Sequence, residues 1–254
     1  MSPKDTRLSG RAALVTGSTG GLGVAIARRL ADEGAHVVVS GRNAERGREL
    51  VTAIRASGAE ATFVAADLAG GDEAIRALAE RATEAVGGRL DILVNNAATL
   101  LMPAPTGDIA PTVLREAFEV NVFAPFLLTG LIAPAMVRNG GGAVVNIGSI
   151  TGLRGASGSA IYNSNKAAIH SLTTSWADEY GPFGVRVNAV APGPIATERQ
   201  QEFVDHVQPV LERLPSRRMS TPEEVAASVA FLASDDAANI HGVVLSVDGG
   251  WAAV

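Results

Sequence analysis

The heptapeptide YNSNKAA, Tyr162 to Ala168, puts a phenol four residues before an ammonium. In a helix, residues four apart meet on one face, so Tyr162 and Lys166 would lie side by side. A hydroxyl that exchanges a proton and a cation that tunes it would use that spacing. A ring packed along a lysine stem would use it too, and the pair alone does not choose. A second chemical signal is TGSTGGLG, Thr16 to Gly23, between a short apolar run and a helical pattern. Gly17, Gly21 and Gly23 let the backbone turn tightly and approach a pyrophosphate, with Ser18 and Thr19 between them. Leu22 then opens a helix whose unpaired N–H groups attract anions. No Lys follows the glycines, which excludes a Walker phosphate loop. A plain strand-to-helix turn is the alternative; the position at the first such junction favours a dinucleotide.

The elements that would position these groups alternate along the chain. Short apolar runs occur at 12–16, 36–40, 61–65, 91–95, 143–147, 185–190 and 243–247, as expected for strands covered on both faces of a parallel sheet. Between them lie helical patterns over Leu22 to Glu33, Ala44 to Ser57, Asp72 to Val86, Thr112 to Arg138, Ser159 to Tyr180 and Pro222 to Ser234. That order predicts a doubly wound α/β fold in one domain of 254 residues. The long stretch from Pro192 to Thr221 reads as irregular, and a connection of that length in a compact domain suggests a substrate lid.

In such a sheet the ligand crevice lies beyond the carboxyl ends of the strands. The second strand ends in Ser40, Gly41, Arg42 and Asn43, with no carboxylate for a ribose 2′-hydroxyl. Arg42 can instead take a 2′-phosphate in bidentate fashion, so NADP(H) is expected, with NAD(H) the lesser alternative. Asp67, after the third strand, can accept from an adenine amino group or cap the next helix, and Leu68 can lie against the ring. The fourth strand runs into NNAA, Asn95 to Ala98, a turn whose amides suit either a cofactor or the backbone itself.

Composition bounds the function. With 47% hydrophobic and 19% charged residues the chain can bury a large core. A net charge of −5 with no basic cluster argues against nucleic acid. Cysteine is absent, which removes disulfides, thiolate nucleophiles and Cys-bound zinc. MSPKDTRLSG has no apolar h-region, and the apolar run Val122 to Val137 is short of the ~20 residues that span a bilayer and carries two prolines. A cytoplasmic protein without a membrane partner is expected.

The residues quoted so far, with NVFAPF, VVNIGSI, NAVAPGPIAT and VDGGW, resemble the short-chain dehydrogenase/reductase family in order and over essentially the whole chain. The resemblance implies a Rossmann-like, seven-stranded parallel sheet with helices on both faces, and a homotetramer or homodimer. It maps a catalytic set onto Asn121, Ser149, Tyr162 and Lys166. It implies cofactor contacts from the glycine turn, the Arg42 region, Asp67, Asn95, Ala97, Pro192, Gly193, Ile195 and Thr197, with Lys166 holding the nicotinamide ribose. In one departure, Ala98 stands where the family motif ends in Gly, which narrows the floor of the site.

The chemistry fits those roles. A carbonyl accepting hydride builds negative charge on oxygen, so it needs a proton donor, Tyr162, and a hydrogen bond that strengthens, from Ser149. Lys166 and the oxidised nicotinamide would lower the phenol's ordinary pKa of about 10. Asn121 can hold a water that passes protons outward from Lys166. Ser149 lacks a GxSxG context, and His36, His170, His206 and His241 show no metal spacing, so no metal is expected. His170 is expected to pack rather than act. An apolar lining at Leu100, Leu101, Met102, Leu153 and Pro194, under a lid from Thr197 to Met219, suits a small to medium neutral ketone or secondary alcohol. A 3-oxoacyl carrier-protein reductase is the alternative enzyme, weakened by Asp178 and Glu179 where basic docking residues belong. A non-catalytic NADP(H)-binding regulator is the alternative of another class.

Overall fold

The computed structural model describes residues 6–198 and 204–254. Seven strands form one sheet in the order β3-β2-β1-β4-β5-β6-β7, every neighbouring pair parallel. They are β1 Ala12–Val15, β2 His36–Gly41, β3 Ala61–Ala65, β4 Ile92–Asn95, β5 Gly142–Ile147, β6 Val185–Pro192 and β7 Val244–Val247. The sequence places each of them within two residues. The runs of β1, β4 and β6 are buried on both faces, as is nearly all of β2 and β5, which is why they read as continuous apolar stretches rather than alternations; the edge strands β3 and β7 are only partly covered.

Helices cover both faces. Gly21–Asp32 (α1), Ala44–Ala56 (α2) and Pro222–Ala233 (α8) build one core with Ile26, Leu30, Val37, Leu50 and Val229. Gly71–Ala85 (α3), Ala124–Arg138 (α5) and Ala160–Tyr180 (α6) build the other around Leu14, Leu93, Leu128, Met136 and Trp176. Strand order reverses between β1 and β4, so the crevice of a doubly wound sheet opens there.

Two expectations are corrected. Thr112 to Arg138 is not one regular helix: α4, Pro111–Phe118, passes through a π-helical turn, Glu119–Phe123, into α5. The physical reason is Pro125. In an α-helix its N–H would serve the Asn121 carbonyl, and proline has none; the Ala124 N–H reaches back to the Glu119 carbonyl instead. The segment Pro192 to Thr221 is also not wholly irregular, because β6 extends through Pro192 and a short helix, α7, spans Val204–Leu211. Residues 199–203 of that segment lie outside the described residues. Its two ends are pinned together by Ser220 N–H to the Pro194 carbonyl (2.9 Å) and Ala196 N–H to the Ser220 carbonyl (2.9 Å).

By length and composition the helical span Pro111–Arg138 could cross a membrane. Here half of its most apolar stretch is buried, and Ala124, Leu128, Ala133 and Met136 are fully enclosed against the sheet.

Candidate active site

A groove of about 540 Å³ runs along the carboxyl ends of β1, β2, β4, β5 and β6. At its start the β1–α1 turn makes close backbone approaches. Gly17 has φ +64°, and a Cβ there would sit 2.7 Å from the Ala97 Cα. A Cβ on Gly23 would collide with the Gly17 carbonyl and the Asn96 amide. The first helical turn of α1 has no side-chain cap, so its amide hydrogens are left for a ligand. This cradle fits a pyrophosphate, and a side chain at Gly17 or Gly23 would force apart the backbone that forms it.

Thr19, Gly21, Leu22, Ser40, Arg42, Asn43, Asp67, Leu68, Ala97, Pro192, Gly193, Ile195 and Thr197 also line the groove, as the sequence predicts. Arg42 is exposed and, among the described residues, makes no ion pair. Asn43 caps α2, its Oδ1 accepting from the Arg46 N–H at 3.0 Å, and Asp67 accepts from the Ala69 N–H at 3.1 Å. Capping and groove-lining therefore coexist at both positions.

Two assignments fail. Ser18 is fully buried; its hydroxyl donates to the Val15 carbonyl (2.7 Å) and accepts from the Ser40 N–H (2.9 Å), tying the glycine turn to β2. Asn95 follows the strand alternation with Leu93 and faces α5, donating to Asn146 Oδ1 (2.9 Å) and Thr129 Oγ1 (3.3 Å). Its neighbour Asn96 lines the groove instead and donates to the Thr16 carbonyl at 2.8 Å. Sequence reasoning also missed Arg46, in the first turn of α2 on the same wall as Arg42; the Asn43 cap, which opens that helix beside Arg42, was the available signal.

At the far end Ser149, Tyr162 and Lys166 converge. Ser149 follows β5, and its Oγ accepts from the Thr151 N–H at 3.2 Å. Tyr162 stands in the first turn of α6, and Lys166 one turn further, 4% exposed. The Lys166 Nζ lies 5.7 Å from the Tyr162 ring centre and donates to the Ile147 carbonyl at 2.8 Å. Burial lowers Lys166 to about 8. It also pushes the Tyr162 phenol above its ordinary value, with the Ser149 hydroxyl pulling the other way. The expected depression of the phenol by Lys166 is thus absent in the protein alone, where desolvation dominates and the ammonium faces a carbonyl.

Asn121 sits in the π-helical turn, 2% exposed. Its amide donates to the Thr99 carbonyl (3.1 Å) and Asn165 Oδ1 (3.1 Å), and its Oδ1 accepts from the Thr99 N–H (2.7 Å). It thereby fixes the loop after β4 against α6. Its main-chain carbonyl lacks the Pro125 N–H that a regular α-helix would have supplied at this position. Of the expected substrate lining, Leu100 and Ala98 face the groove, whereas Leu153 is 51% exposed outside it.

His170, one turn beyond Lys166, packs as expected, and it packs on the site itself. A Cβ on Gly148 or Gly152 would strike its imidazole, and its Nε2 accepts a long bond from the Ser149 N–H at 3.4 Å. Burial, then the Lys166 charge, lower it to about 4. The folded value lies below the ordinary 6.5, so the unfolded chain binds the extra proton between the two. Stability is therefore full above about pH 6.5 and falls as pH drops toward about 4. We expect the urea midpoint to decline over that window, and less steeply in His170→Leu; identical slopes would refute the assignment.

Fold and site together define a dinucleotide-binding α/β oxidoreductase. A family model described as enoyl-(acyl carrier protein) reductase matches residues 17–252. The chain is 37% identical over 246 residues to human dehydrogenase/reductase SDR family member 4, covering 96% of this chain and 88% of that protein. It is 39% identical over 245 residues to cis-4-hydroxycyclohexanecarboxylate dehydrogenase of Sinomonas cyclohexanicum, covering 96% and 97%. A candidate NAD(P)-dependent gluconate 5-dehydrogenase from Beutenbergia cavernae, solved with NADP at low occupancy, superposes with a TM-score of 0.92 at 38% identity, covering 97% and 98%. The chain belongs to the short-chain dehydrogenase/reductase family and is an NAD(P)-dependent oxidoreductase.

Proposed function

We propose that the protein interconverts a neutral carbonyl compound and its secondary alcohol with NADP(H). The carrying observation is one continuous groove that has the glycine turn and Arg42 at one end and Ser149, Tyr162 and Lys166 at the other. The bound nicotinamide would supply or accept the hydride. Thr19, Gly21 and Gly23 would hold the pyrophosphate, Arg42 and Arg46 a 2′-phosphate, Asp67 and Leu68 the adenine, and Pro192 to Thr197 the nicotinamide end. Tyr162 Oη gives its proton to the carbonyl oxygen as negative charge develops there, and the Ser149 hydroxyl donates a second bond to the same atom. Lys166 would hold the nicotinamide ribose hydroxyls with its ammonium and return a proton to Tyr162, with Asn121 holding a water that passes protons on to solvent.

The carrier-protein reading draws on the description of the matching family model. Exposed Asp178 and Glu179, at the end of α6, would repel an acidic carrier. A purely regulatory binder has no use for Ser149, Tyr162 and Lys166 gathered at one end of the groove. NADPH oxidation followed against neutral ketones, sugars and an acyl thioester tests the reading. Turnover confined to the thioester, or none at all with NADPH bound, would overturn it.

We further propose a two-fold assembly through α4, the π-helical turn and α5, which leave Val113, Phe123 and Phe126 exposed. Isologous pairing would cover them. Light scattering at micromolar concentration should give a dimer or tetramer, and a monomer would contradict it. The segment 192–221 would act as the lid.

A further inference from the structure

A second cavity, of about 180 Å³, lies beside the groove and shares one lining residue with it, Tyr162. Its other walls include Leu101 and Ile109 from the loop after β4, Leu114 from α4 and Ile161 from α6. Thr106 and Ser159 supply hydroxyls, and among the described residues no charged side chain lines it. The cavity is closed by main chain: the Ala104 N–H donates to the Gly158 carbonyl at 2.8 Å. Gly158 has φ +75°, and a Cβ there would stand 3.2 Å from the Ala104 nitrogen and the Pro103 Cβ. Only glycine adopts that conformation at that approach without strain.

We infer that this cavity receives the larger, apolar substituent of the carbonyl substrate, an inference that rests on the proposed oxidoreductase reading. A carbonyl bound by Tyr162 and Ser149 has two substituents, and Tyr162 borders both spaces that can take them. Apolar cavities of about 150 Å³ admit benzene, so this one takes a six-membered carbocycle or a chain of about six carbons. Met102, 53% exposed, and Leu114, 42% exposed, are apolar surfaces that such a group would cover. A polyhydroxy acid would bring a carboxylate and hydroxyls against Leu101, Ile109 and Ile161, with two hydroxyls to compensate them. The substrate class is therefore an alicyclic or medium-chain ketone rather than a sugar acid.

The test is a series of methyl ketones from acetone to 2-octanone, with cyclohexyl methyl ketone, assayed with NADPH on the native protein. The value of kcat/KM should rise about fourfold per added methylene and level off near six carbons. Ile109→Trp, which fills the cavity from the loop, should leave acetone nearly unchanged and cost cyclohexyl methyl ketone at least about tenfold. Leu114→Trp fills it from α4 and guards against one misfolded variant. Calorimetry of NADP⁺-loaded protein with cyclohexyl methyl ketone gives a reading independent of turnover, with binding about tenfold tighter in the native protein than in either variant. A flat series with active enzyme, or variants that behave as native, overturns the cavity assignment and leaves the oxidoreductase reading standing. If no ketone is reduced, that reading falls, and calorimetry decides the cavity alone: equal or absent binding overturns it.

Discussion

Tyr162→Phe should fold, bind NADPH as the native protein does, and reduce its best ketone at least ~10² to 10⁴-fold more slowly, the usual share of general acid catalysis. The substitution keeps the ring, which lies beneath Lys166, and removes only the hydroxyl. A purely structural hydroxyl would cost about 1 kcal/mol of stability and leave turnover in place. Lys166→Ala should fail differently. Its Nζ is bonded to the Ile147 carbonyl and turned toward the groove, so its loss should weaken cofactor binding as well as turnover. Desolvation already holds the phenol above its ordinary value. Removing the cation then leaves the phenolate less favoured still, and in the alcohol-oxidising direction the ascending limb of the pH profile, set by that base, should move to higher pH. Near-native reduction by a folded, NADPH-binding Tyr162→Phe protein would remove the central assignment.

The parts of this molecule that were legible beforehand are those where one residue type has one physical use. Continuous valine runs can only be strands with both faces covered, and the spacing from Tyr162 to Lys166 holds in any helix. The misreadings occur where tertiary context chooses between two uses. Asn95 and Asn96 are the same residue type in succession, and only the strand's alternation against α5 decides that the first is buried and the second faces the groove. Ser18 lies among ligand-facing neighbours, yet the tight turn at Gly17 rotates it inward to bridge β1 and β2. The π-helical turn at Asn121 was hidden because periodicity over Thr112 to Arg138 looks helical throughout; Pro125 is a local cause visible only once hydrogen-bond partners are counted. His170 sits at helical spacing from Lys166, but nothing in its own segment indicates that Gly148 and Gly152 leave room for its ring.

The cofactor preference gives the other large effect. Arg42 follows β2 and Arg46 stands in the first turn of α2, both exposed on the groove wall where a 2′-phosphate would lie; Glu45, between them in the chain, does not line the groove. Arg42→Ala should weaken NADPH binding by roughly 1.5 to 3 kcal/mol, the worth of a charge-assisted hydrogen bond, and leave NADH nearly unchanged. Arg46→Ala should act in the same direction. The Asn43 side chain caps the Arg46 N–H rather than its guanidinium, so removing that side chain leaves the start of α2 intact. If both arginines grip one phosphate, the double substitution should cost less than the sum of the single ones, because the second loss acts on a site already loosened. Rising salt should erode the NADPH advantage, since both guanidinium groups are exposed and screened. Titration of each variant with NADPH and NADH, by fluorescence at two ionic strengths, measures all of these. Equal losses for the two cofactors would show that Arg42 and Arg46 are solvated surface charges and that selectivity resides elsewhere in the groove.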